Sequence, residues 1–90
     1  MRVLITGAFG LIGRRLTQEL IALGQLTDSE GRVRVIKEIL LVDRVVPERL
    51  PSVPFTVRAL AGDMCDAEFL AQVMAHAPDA IFHLAASLTM

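Results

Sequence analysis

The sequence predicts an α/β fold in which a parallel sheet is covered by helices on both faces. Three observations lead there. The apolar runs are continuous rather than alternating, two intervening segments repeat with helical period, and glycine or proline stands at the joints. Continuous apolar runs belong to strands buried on both faces, as parallel sheets require. A chain of 90 residues makes at most one small domain, and 53% hydrophobic residues with a mean hydropathy of +0.54 supply the core such a sheet needs.

Arg2 to Thr6 reads as the first strand, short and rich in branched apolar residues. Leu11 to Leu23 reads as the first helix, with Ile12, Leu16, Leu20 and Leu23 on one face and Gly24 as its stop. Gln25 to Gly31 is polar and reads as an exposed loop. Val33, Val35 and Ile36 read as a short extension before the second strand, Ile39 to Asp43. Pro47, Pro51 and Pro54 mark a segment that is neither helix nor central strand. Thr56 to Leu60 reads as a third strand closed by Ala61-Gly62-Asp63. Asp66 to Ala77 reads as a second helix, capped by Asp66, carrying Phe69, Leu70, Val73 and Met74 on its apolar face and ended by Pro78. Ala80 to Ala86 reads as a fourth strand and the end of its run. A helix after the first and third strands gives the strand order 3-2-1-4, the first half of a doubly wound sheet.

Charge and cysteine content narrow the function classes. Net charge is −1 with a pI near 6.0, so no basic field recommends nucleic acid as a partner. No apolar run approaches the roughly 20 residues that span a bilayer, and Arg2 followed by a glycine-broken run does not make a secretory signal. One cysteine, Cys65, excludes an internal disulfide framework and fits a reducing compartment, so the cytoplasm is the expected location. His76, His83 and Cys65 do not make a zinc-type ligand spacing, and no metal site is expected.

The chemistry lies at the strand ends. Thr6-Gly7-Ala8-Phe9-Gly10-Leu11-Ile12-Gly13 joins a strand to a helix, the context in which three spaced glycines hold a diphosphate. Gly7 permits the tight turn, Gly10 lets backbone approach the phosphates, Gly13 lets the helix pack closely, and free N–H groups at the helix start face the anion. Asp43 ends the second strand, where a carboxylate accepts from both hydroxyls of an adenosine ribose and repels a 2′-phosphate, favouring NAD over NADP. Arg44 pulls the other way, because a guanidinium can hold a 2′-phosphate. Asp43 lies 30 positions beyond Gly13, against a usual spacing of about 20, and the polar 25–31 segment accounts for the excess. Gly62-Asp63-Met64 offers a carboxylate to an adenine amino group, or alternatively a plain turn with a cap. His83, inside an apolar strand, reads as a satisfied core histidine.

Taken together, Thr6-Gly7-x-x-Gly10-x-x-Gly13, Asp43, Gly62-Asp63 and His83-Leu84-Ala85-Ala86 resemble the N-terminal part of an extended short-chain dehydrogenase/reductase, the NAD-dependent epimerase/dehydratase family, with a Rossmann-type fold. The long spacer before Asp43 and the Arg44-Val45-Val46-Pro47 that follows are similar to D-erythronate dehydrogenase-like members. The resemblance implies that Gly7, Phe9, Gly10, Leu11, Ile12 and Gly13 form the diphosphate turn and that Asp43 holds the ribose. It further implies that Asp63 and Met64 border the adenine, and that Leu84, Ala85 and Ala86 run along the cofactor toward its nicotinamide.

The same resemblance implies proton transfer by a tyrosine in a Tyr-x-x-x-Lys arrangement. These 90 residues contain no tyrosine and a single lysine, Lys37, so no catalytic residue is nominated within them. Residues 1–90 are therefore expected to be the N-terminal part of a dinucleotide-binding domain, with the catalytic and substrate-binding remainder absent. The expected function is the NAD-binding segment of an oxidoreductase acting on a hydroxyl-bearing, sugar-acid-like substrate. A nucleotide-sugar epimerase/dehydratase and a non-catalytic NAD-sensing module are the alternatives. A methyltransferase with a similar glycine turn is disfavoured by the spacing. A half sheet with a bare strand edge is also expected to self-associate.

Overall fold

The computed structural model of the chain describes residues 1–47 and 55–84. Pro51 and Pro54, and Ala85, Ala86, Ser87 and Thr89, lie outside the described residues. Six strands and two helices follow one another: β1 (Arg2–Thr6), α1 (Leu11–Leu23), β2 (Gln25–Thr27), β3 (Val33–Val35), β4 (Glu38–Asp43), β5 (Thr56–Ala61), α2 (Ala67–Met74) and β6 (Ala80–His83). Four of the strands form one sheet in the order β5-β4-β1-β6, all neighbours parallel. This is the 3-2-1-4 order expected from the sequence.

Burial follows from that order. The two central strands bury Val3, Leu4, Ile5 and Thr6 of β1 and Ile39, Leu40, Leu41 and Val42 of β4, whereas β5 and β6 alternate between half-buried and exposed. Side chains of successive residues point to opposite faces. One face therefore collects Val3, Ile5, Ile39 and Leu41 with Leu20 of α1 and Ile36. The other collects Leu4, Leu40 and Val42 with Val73 of α2. A helix on each face is the doubly wound arrangement.

The helices differ from expectation in ways with physical causes. Helix α1 runs from Leu11 to Leu23 as expected, and Gly24 ends it in the left-handed region (φ 66°), its N–H donating to Leu20 O at 2.8 Å. Its packed face, however, carries Gly13, Thr17 and Leu20, not the stripe through Ile12 and Leu23. Small residues win this face because the helix lies against backbone. A Cβ on Gly13 would overlap Gly7 O and come within 2.7 Å of the Ala8 main chain. Thr17 folds its hydroxyl back onto Gly13 O at 2.7 Å. Helix α2 stops at Met74, short of the expected Ala77, and Ala77 sits at φ 51°. Asp66 caps it by accepting from Glu68 N at 2.9 Å. Val73 is buried, but Leu70 and Met74 of its expected apolar face are exposed, as is Ile81 of β6.

The polar segment after α1 is not a loop. Gln25–Thr27 pairs antiparallel with Val33–Val35. Asp28 builds the connecting turn, its Oδ1 accepting from Glu30 N and Arg32 N at 2.9 Å each, with Gly31 at φ 80°. Half-buried Leu26 ties this hairpin to the core under α1. The excess spacing between glycine turn and Asp43 is thus a hairpin held outside the main sheet.

Gly13→Ala should destabilise the fold by about 1–3 kcal/mol, the usual cost of overpacking against groups that cannot move aside. Chemical denaturation measures this, and an unchanged midpoint would show that α1 can stand off from the turn.

Candidate functional site

Parallel strands bring their carboxyl ends to one edge of the sheet, and ligands of open α/β sheets bind in the crevice there. The glycine turn leaves β1, Asp43 ends β4, Gly62-Asp63-Met64 follows β5, and Leu84 follows β6. Register fixes their proximity: Thr6 is opposite both Val42 and His83, and Asp43 is opposite Ala61.

The turn is shaped by its own hydrogen bonds. Gly7 is in the left-handed region (φ 66°), Gly10 N donates to Gly7 O at 3.2 Å, and Ala8 N donates to Val42 O at 3.2 Å. Phe9 N donates to Asp43 Oδ2 at 3.0 Å. Three amides are consumed in this way. Those of Leu11, Ile12 and Gly13, in the first turn of α1, have no partner among the described residues. They are the donors left for an anion, at the positive end of the helix. The Gly10 backbone is extended (φ −73°, ψ 177°), and an added Cβ would meet Gly7 O at an ordinary 3.5 Å. Nothing among the described residues requires glycine there, so the position leaves its backbone open to close approach from outside.

Leu11 and Ile12 are 89% and 70% exposed, which removes them from the core and leaves them on the outside of the turn. Phe9 is half-buried and packs on the core under α1. The Asp43 carboxylate accepts from Arg44 N through Oδ1 at 2.8 Å as well as from Phe9 N. Each carboxylate oxygen has two acceptor sites, so capacity remains for two ribose hydroxyls.

The Asp43 carbonyl accepts from Gly62 N at 3.0 Å, binding the third strand end to the second. Gly62 is required by packing, since a Cβ there would overlap the Phe69 ring. Asp63 is exposed. Cys65 N donates to its Oδ1 at 2.9 Å, holding the carboxyl below its ordinary range; desolvation opposes this and the Arg44 charge adds to it. The carboxylate is therefore ionised at neutral pH and remains an acceptor. Met64 is half-buried against the α2-side core, and Leu84 against the α1-side core.

His83 does not lie in the core. It is exposed at the end of edge strand β6, and its Nδ1 is 2.7 Å from Thr6 Oγ1. Thr6 enters the sequence reading only as the first residue of the glycine motif, with no role of its own, yet it is fully buried, and its carbonyl also accepts from Leu84 N at 3.1 Å. A buried hydroxyl at the end of an otherwise apolar strand was the available signal. No group of three or more His, Cys, Asp or Glu that could hold a metal ion occurs among the described residues, and no helix among them is long and apolar enough to cross a membrane.

A doubly wound half sheet with a glycine turn and an acid at the next strand end belongs to the Rossmann-type nucleotide-binding class. The chain belongs, more narrowly, to the NAD dependent epimerase/dehydratase family, whose model matches residues 3–90. It is 38% identical over 86 residues to D-erythronate dehydrogenase from Cupriavidus necator, covering 96% of this chain and 26% of that protein. The nucleoside-diphosphate-sugar epimerase from Agrobacterium tumefaciens superposes with a TM-score of 0.80 at 33% identity, covering 98% of this chain and 24% of that one. MoeE5, in a structure with UDP-glucuronic acid and NAD, gives a TM-score of 0.62 at 28% identity, covering 99% and 24%. The chain thus spans about a quarter of the length of these relatives.

Because no described residue constrains Gly10, Gly10→Ala should leave the unfolding free energy within about 1 kcal/mol of wild type while weakening NAD binding about tenfold or more. Parallel denaturation and calorimetric titration measure both, and undiminished NAD binding would exclude close approach at Gly10.

Proposed function

We propose that residues 1–90 are the NAD-binding N-terminal part of a dehydrogenase acting on a hydroxyl-bearing, sugar-acid-like substrate. The observation that carries the reading is the set of three amides, Leu11 to Gly13, that have no partner among the described residues, beside a glycine with room above it and an acid at the neighbouring strand end. Family membership and the identity with D-erythronate dehydrogenase support the cofactor and the substrate class. The described residues fit the cofactor: the Leu11–Gly13 amides would hold its diphosphate, Asp43 its adenosine ribose, Asp63 and Met64 its adenine edge, and Leu84 the start of the path toward nicotinamide, for which Ala85 and Ala86 are proposed on the family resemblance alone.

Bound NAD supplies the hydride-accepting ring. What these residues do is bind and orient. The amide dipoles would stabilise the diphosphate charge without adding a cation, and the Asp43 carboxylate would disfavour a 2′-phosphate. With no tyrosine in the chain, the proton-transferring Tyr-x-x-x-Lys pair would have to lie outside these residues, so we assign them no catalytic step. A nucleotide-sugar epimerase is the second reading, favoured by the TM-score of 0.80 to the Agrobacterium enzyme. The two readings share this cofactor site and differ in substrate.

Asp43→Asn should weaken NAD binding by the roughly 1.5–3 kcal/mol of a hydrogen bond to a charged group. Isothermal titration measures it, and equal affinity in wild type and variant would remove Asp43 from the site.

A further inference from the structure

Asp43 has work to do in the protein without any ligand. Its two carboxylate oxygens accept from two different amides, Oδ1 from Arg44 N within its own turn and Oδ2 from Phe9 N across the sheet, 34 residues away. The second contact fastens the middle of the glycine turn to the end of β4. It also orients the Ala8–Phe9 peptide, one residue before Gly10, the N-cap of α1. Its main chain adds to this, since the Asp43 carbonyl holds Gly62 N and the adjacent Val42 carbonyl holds Ala8 N. Three of the four strand ends at the crevice, those of β1, β4 and β5, thus meet around Asp43.

We infer that the Asp43 carboxylate is a positioning residue for the diphosphate turn, fixing Phe9 N–H so that the Leu11, Ile12 and Gly13 amides are left facing the anion. This deepens the NAD reading, on which the identity of the anion rests, by coupling the ribose and diphosphate subsites through one side chain. Phe9 N–H pointed at a carboxylate cannot also point at a phosphate, so Asp43 sorts the turn's donors into those that shape the cradle and those that face the ligand. The bond is charge-assisted, the stronger class of hydrogen bond.

The consequence runs against simple electrostatics. A carboxylate beside a diphosphate repels it, so removing the charge should tighten binding of an anion that has no ribose to recognise. A positioning role gives the opposite sign. In the intact protein, Asp43→Ala should weaken binding of inorganic diphosphate about tenfold, the loss of one charge-assisted bond. Without ligand, the same variant should speed amide hydrogen exchange at Phe9 about tenfold or more, while Leu4 and Leu41 in the central strands keep wild-type protection. If Asp43→Ala does not fold, Asp43→Asn is read the same way, because it removes the charge and offers an oxygen to only one of the two amides.

Diphosphate binding that is unchanged or tighter in the variant, or unaltered exchange at Phe9, would overturn the positioning role. Wild-type protein that binds diphosphate but not NAD would instead overturn the NAD reading and leave this one standing. If wild type binds neither, exchange at Phe9 still decides the positioning role alone.

Discussion

Backbone against backbone at Gly13 is the contact on which the rest of the structure depends. Helix α1 can enter directly from the turn only because nothing but hydrogen stands between it and the Gly7–Ala8 main chain. With the helix seated there, its first turn lies over the carboxyl end of β1, and Leu20 reaches the core beneath. A larger residue would push the helix outward, separate Leu20 from Ile5 and Leu41, and carry the free amides away from the crevice. Folding and ligand geometry therefore share one constraint.

The amides of the turn and first helical turn then divide into two groups. Those of Ala8, Phe9 and Gly10 are spent on Val42, Asp43 and Gly7, which fixes the shape of the turn before a ligand arrives. Ordering one residue's backbone costs roughly 1–2 kcal/mol, so a turn already ordered spares that cost at binding. The amides of Leu11 to Gly13 have no partner among the described residues and are available to the anion proposed above. The apolar side chains of Leu11 and Ile12, exposed to solvent, contribute little to the core, which explains why they sit in a helix whose packed face is elsewhere.

Much of this was legible in the sequence. The bounds of α1 agree at both ends because Gly10 and Gly24 stand where the helix must start and stop. The four sheet strands were legible as apolar runs because β1 and β4 are buried on both faces. The failures are equally physical. Periodicity placed Ile12 and Leu23 on the packed face, since it weighs apolar residues and cannot see that a helix against backbone selects glycine and threonine. The β2–β3 hairpin was hidden because its strands are three residues long and only Leu26 points inward. His83 reads as buried from its apolar neighbours, but it ends an edge strand, where its ring stays exposed while Nδ1 reaches the buried Thr6 hydroxyl opposite. The link from Phe9 to Asp43 joins residues far apart in the chain, and motif spacing carries no trace of it.

The central claim is that the Leu11–Gly13 amides receive a dinucleotide diphosphate. Nuclear magnetic resonance of the amide-labelled protein titrated with NAD tests it most directly. The largest shifts are expected on Leu11, Ile12 and Gly13, with Asp43 and Gly62 moving at the same NAD concentrations and the β2–β3 hairpin silent. Saturation that moves the hairpin or α2 and leaves residues 11–13 still would contradict it.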